Sequence, residues 1–125
     1  MILKMLYLKN IQKAKLNFER SLEIEPNNSE ALYALGQAYR TLGEKETSQF
    51  TLEKFKQISD FEKSKKTLQK QISNRPKDLK IKKELAALFE SIDDFKSAAE
   101  VWQQAAYFGD QNAQLELKRL KSELK

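Results

Sequence analysis

Between Pro26 and Gly43 the large apolar residues recur with the period of a helix. Leu32, Leu35, Gly36 and Tyr39 stand at i, i+3, i+4 and i+7 on one face. Ser29 is placed to cap the start, and Gly43 stands where a helix end favours the left-handed conformation. The face carries a size code, large at Leu32, Leu35 and Tyr39 and without a side chain at Gly36. A glycine inside a helix costs about 1 kcal/mol relative to alanine, so a second helix is expected close against it. That helix begins near Glu44 and sets Ser48, Leu52 and Phe55 along one face. No Gly or Pro occurs from Glu44 to Ser73. One long helix is therefore predicted, about 45 Å in length, while Ser59 and Glu62 could form a capping box that divides it.

Upstream, Met1, Ile2, Met5 and Leu8 have helical spacing, Lys9-Asn10 is expected to turn, and a second helix is expected over Ile11 to Ile24. That helix carries Ala14, Phe18, Ser21 and Leu22 on one face, and Pro26 stops it. Downstream, Pro76 restores the phase: from Leu79 the pattern runs through Leu85, Ala86 and Phe89. A turn at Asp93-Asp94 follows, then Phe95, Ala98, Trp102 and Ala105. A last helix over Gln111 to Leu124 presents Ala113, Leu117, Leu120 and Leu124 on one side, as a terminal cap would. The helix starts at Ser29 and Leu79 lie 50 residues apart.

Composition sharpens this. The chain has 125 residues, 40% of them apolar, with three Gly and two Pro, which suits one mostly helical globular domain. It contains no Cys, so disulfide and thiol chemistry are excluded, and no His, which removes the usual general base and commonest metal ligand. The apolar run at the start is interrupted by Lys4 and is too short to span a bilayer. The chain reads as soluble, with the cytoplasm slightly favoured over an extracytoplasmic place reached by a signal since removed. The net charge of +5 is concentrated: Lys54 to Lys83 holds eleven Lys or Arg against three acids.

The large, large, small, large code at Leu32, Leu35, Gly36 and Tyr39, with Ser48 and Leu52 after it, resembles a tetratricopeptide repeat. Leu85, Ala86, Phe89, Ala98, Trp102 and Ala105 repeat the pattern, and Ala14, Phe18, Ser21 and Pro26 match its second half. Phe55 departs from it, since the family has a small residue there. The 50-residue offset exceeds the 34-residue repeat by about one helix. Met1 would fall part-way along a first helix, as in a short first repeat or a piece of a longer array. The run Ala98 to Ala106 with Gly109-Asp110 and Ala113-Gln114 also resembles the related Sel-like repeats.

The resemblance implies an all-α solenoid of antiparallel helix pairs, in two lobes joined by a long helix and closed by a C-terminal capping helix. Its divisions would be a partial repeat over 1–28, a repeat over 29–58, a basic segment over 59–78, a repeat over 79–110 and the cap over 111–125. It also implies a non-catalytic scaffold that holds a peptide or helix of another protein in a concave groove. Carried over by position, that groove would be lined by Leu3, Leu6 and Tyr7, then Glu30, Tyr33, Ala34, Gln37, Arg40 and Thr41. The last full unit would add Lys80, Lys83, Glu84, Ala87, Glu90 and Ser91. Tyr33 and Arg40 suit ligand anchoring best, although Tyr33 could equally pack on a neighbouring repeat. Members that bind chaperone tails grip a terminal carboxylate with Lys and Asn four apart. Tyr33 with Gln37, and Lys83 with Ala87, do not reproduce that clamp.

An alternative partner surface is the stripe Lys56, Lys63, Lys66 and Lys70, which could meet an acidic protein, nucleic acid or anionic lipid. The bland reading of the stripe, a solvated helix face, carries more weight. Nucleic acid is disfavoured because the segment has Lys rather than Arg, no Gly loop and no aromatics interleaved with the charges. An enzyme is not expected. The serines have no His to activate them, Asp93 and Asp94 sit at a turn, and no phosphate loop, cofactor motif or metal cluster occurs. Self-association through the N-terminal end is a further expectation, because Phe18 and Leu22 would be partly uncovered.

Overall fold

Helical periodicity and the scarcity of Gly and Pro yield six helices in the computed structural model, which describes residues 2–124. They are α1 (Ile2–Ile24), α2 (Ser29–Thr41), α3 (Lys45–Asn74), α4 (Leu79–Glu90), α5 (Phe95–Tyr107) and α6 (Ala113–Glu123). Met1, used above in the N-terminal pattern, and Lys125 lie outside the described residues. No strand occurs among the described residues, and connections of three to five residues separate the helices. This is the architecture of an α-solenoid built from helix pairs. The chain divides into two compact units, Met1–Asp60 and Phe61–Lys125. α3 is a single helix that contributes its first half to one and its second half to the other.

In the first unit α1 packs on α2, and α2 buries Ala31, Leu32, Leu35, Gly36 and Ala38. The close approach predicted at Gly36 is present. A Cβ placed there would fall 2.6 Å from Leu52 Cγ and nearer still to its Cδ2, well inside any real carbon contact. The buried Ser48 hydroxyl donates to the Gly36 carbonyl at 2.7 Å, so its polar group is satisfied by the facing backbone. Phe55, anomalous in the sequence pattern, packs its ring at a tilt against Tyr33 with centroids 5.2 Å apart. Gly43 adopts φ +82 and ends α2 in the left-handed region.

Two local expectations are corrected. Asn28, not Ser29, caps α2: it holds the extended cap conformation and its side chain accepts from Ala31 N at 3.1 Å. The chain does not turn at Lys9-Asn10, and α1 runs unbroken from Ile2 to Ile24. Nothing there compels a turn, because Asn10 costs a helix only about 0.7 kcal/mol and no Gly or Pro is present. The hairpin that would have put Leu6 and Tyr7 on a separate first helix is therefore not formed. Ala14, Phe18, Ser21 and Leu22 are half-buried, and no residue of α1 is fully buried.

In the second unit the Asp78 carboxylate accepts from Lys80 N and Ile81 N and so starts α4. Asp93 takes φ 60 at the turn and Asp94 caps α5 through Ser97 N. Leu85, Ala86, Ala98, Ala99, Val101, Trp102, Ala105, Ala113 and Leu120 form one buried cluster, with Leu68 and Ile72 of α3 against it. Phe61 and Phe89 add a ring contact at 5.7 Å. Gly109, at φ +97, turns the chain so that α6 packs back on α5 as the predicted cap. α6 starts two residues later than expected, because Asp110 accepts from Asn112 N and holds that stretch as a turn.

Trp102→Ala should lower stability by about 3–5 kcal/mol through the cavity it leaves. Gly36→Ala should cost about 1–3 kcal/mol by overpacking against Leu52, despite alanine's higher helix propensity. Urea denaturation checks both, and an unchanged midpoint in either variant contradicts this packing.

Candidate partner-binding surface

The face of α2 opposite its buried residues carries Glu30, Tyr33, Gln37 and Arg40, brought together by helical spacing. Glu30 and Arg40 are exposed, and Gln37 is half-buried. Tyr33 is 50% exposed with its ring braced on Phe55. An aromatic side chain fixed on one side and open on the other is a ready anchor. Arg40 also borders an open groove of about 570 Å³ whose other walls are Lys45, Ser48, Gln49, Leu52, Glu53 and Lys56. On α1, Leu6 and Tyr7 are 52% and 56% exposed beside the exposed Ile2, Leu3 and Met5. Beneath this face Lys15 stands over the Tyr39 ring at 5.5 Å and pairs with Glu44 at 3.4 Å. Burial first, and Glu19 second, push the Tyr39 phenol above its usual value.

Four of the expected groove residues on α4 divide. Lys80 and Glu84 are exposed. Lys83 and Glu90 are instead engaged within the protein: Lys83 pairs with Asp110 at 2.9 Å, and Glu90 with Arg119 of α6 at 2.6 Å. Arg119 also reaches Glu116 at 2.6 Å, and the two carboxylates raise its pKa further. The Asp110 side chain is only 3% exposed. The hydrogen bond from Lys83 holds its carboxyl below the usual value; burial opposes this, and the Asn112 and Ala113 N–H groups assist it.

Lys82 had no place in the sequence reading. It is 2% exposed, donates to the Pro76 carbonyl and lies 4.6 Å from the Phe108 ring centroid. Its position is 50 residues after the buried Leu32, and that offset is the signal that marks it as interior. On α3, Lys56, Lys63, Lys66 and Lys70 are all exposed, and none is in an ion pair among the described residues. Among those residues no three His, Cys, Asp or Glu side chains are grouped to hold a metal ion. No described helix is long and apolar enough to cross a membrane.

The family model described as tetratricopeptide repeat matches residues 17–50. The match takes in the end of α1, all of α2 with Gly36, and the start of α3 with Ser48. Over those residues the chain is similar to a tetratricopeptide repeat. No curated protein matches it. Tetratricopeptide repeats generally mediate protein–protein interaction, and the family is typically a non-catalytic scaffold. The outward face of α2 is formed wholly within the matched segment.

The Asp110–Lys83 pair makes a pH-dependent contribution. A carboxylate with a depressed folded pKa stabilises fully above its ordinary value of 3.8, and that stabilisation is lost as pH falls through the folded value. Asp110→Asn should therefore lower Tm at neutral pH, with the gap to the parent closing below pH 3.8. A gap that stays constant with pH contradicts the pairing.

Proposed function

We propose that the chain is a tetratricopeptide repeat protein, a non-catalytic scaffold that binds a peptide or helix of another protein across the outward face of α2. Glu30, Tyr33, Gln37 and Arg40 provide an aromatic anchor flanked by charges of both signs, a composition suited to a protein partner rather than a small substrate. On α4, Lys80 holds the position of Glu30 and the exposed Glu84 that of Ala34. The observation that carries the reading is Tyr33, half-exposed and braced on Phe55. A second reading has an anionic partner on the α3 lysines, favoured by their exposure and lack of ion pairs.

Affinity capture with the full chain and its variants tests both. A partner retained by the parent should be lost with Tyr33→Ala and kept when Lys63, Lys66 and Lys70 are all changed to Ala. The reverse pattern would transfer the function to the lysine stripe. Recovery indifferent to either change contradicts both.

A further inference from the structure

The groove beside Arg40 has a covered counterpart in the second unit. Fifty residues on, Arg40, Lys45, Ser48, Gln49, Leu52 and Lys56 become Glu90, Phe95, Ala98, Ala99, Trp102 and Ala106. There α6 lies on α5, and its Ala113, Leu117 and Leu120 join the cluster that contains Ala98, Ala99 and Trp102. Arg119 anchors it to Glu90 at 2.6 Å. α6 can fold back because the chain turns at Gly109. Ser59 holds the equivalent place in the first unit, α3 continues as helix, and among the described residues no segment of that unit returns over the groove.

Charge selects the occupant. α6 meets its own groove with a cation against Glu90, whereas the first unit presents Arg40 at that position. Lys45 and Lys56 stand on the same rim against one acid, Glu53. None of these three cations is in an ion pair among the described residues. The α6 of a second copy would bring Lys118, Arg119 and Lys121 to a site that is already positive. Between the charges the groove is lined by Leu52 and Ser48.

We propose that this groove takes an acidic amphipathic helix of a partner protein, seated as α6 is seated on α5, with an Asp or Glu where α6 has Arg119. The proposal rests on the protein-binding reading above and names the partner's chemistry at a groove that shares Arg40 with the α2 face.

Two fluorescent peptides spanning residues 110–125 test it against the intact chain by anisotropy. One has the native sequence, and the other carries Lys118→Glu, Arg119→Glu and Lys121→Glu. The acidic peptide should bind tighter by about tenfold or more, as expected when a charge clash is exchanged for a pair. Arg40→Glu in the protein should abolish that preference. Lys66→Glu, on α3 outside the groove, should leave it intact, and so should Tyr33→Ala, so failure here is distinguishable from failure of the α2 reading. No binding of the acidic peptide, or binding indifferent to Arg40→Glu, would overturn the proposal. Equal loss with Lys66→Glu would reveal general charge attraction and overturn it as well. A dimer seen by light scattering and lost in Arg40→Glu would give the groove to a second copy, also against the proposal.

Discussion

The approach of α2 to α3 at Gly36 is the constraint on which the first unit depends. Leu52 occupies the space that any side chain at position 36 would fill, and Ser48 donates to the Gly36 carbonyl from the same helix. Apolar packing and polar satisfaction thus demand the same separation between the two helices. A serine inside a helix often bonds its own preceding turn; here the hydroxyl is used across the pair. With Leu32, Leu35 and Gly36 committed inward, Glu30, Tyr33 and Arg40 are left outward by helical geometry alone.

The second unit solves the same problem with different residues. Ala86 and Ala98 stand at the places of Gly36 and Ser48, both without exposed surface, and Trp102 takes the place of Leu52. Its interior also admits Lys82 where the first unit has Leu32, which the Pro76 carbonyl and the Phe108 ring make tolerable. The units diverge at their ends. Gly109 permits a reversal that brings α6 onto α5, while Ser59 lets α3 continue. One residue type at one turn therefore accompanies the difference between a covered face and an open one.

Much of this was legible in the sequence because it is local. The starts of α2, α4 and α5, the left-handed Gly43 and the Asp93-Asp94 turn follow from spacing and turn chemistry. The unbroken α3 follows from thirty residues without Gly or Pro. The continuity of α1 was missed because Lys9-Asn10 has only weak preferences, and the family pattern argued for a turn there. Ion pairs such as Lys83–Asp110 and Glu90–Arg119 join residues far apart in sequence, and no periodicity encodes them. They matter for the candidate surface, since they commit two side chains that position alone would assign to a ligand.

On the proposed function the chain acts by presenting the outward face of α2, and that face is set by one helix pair. Nuclear Overhauser spectroscopy on the intact chain measures that pair most directly. Strong cross-peaks between the Gly36 α-protons and the Leu52 methyls are predicted, with slow exchange of the Ser48 hydroxyl proton. Their absence, with Gly36 in contact with water, would contradict the account at its base.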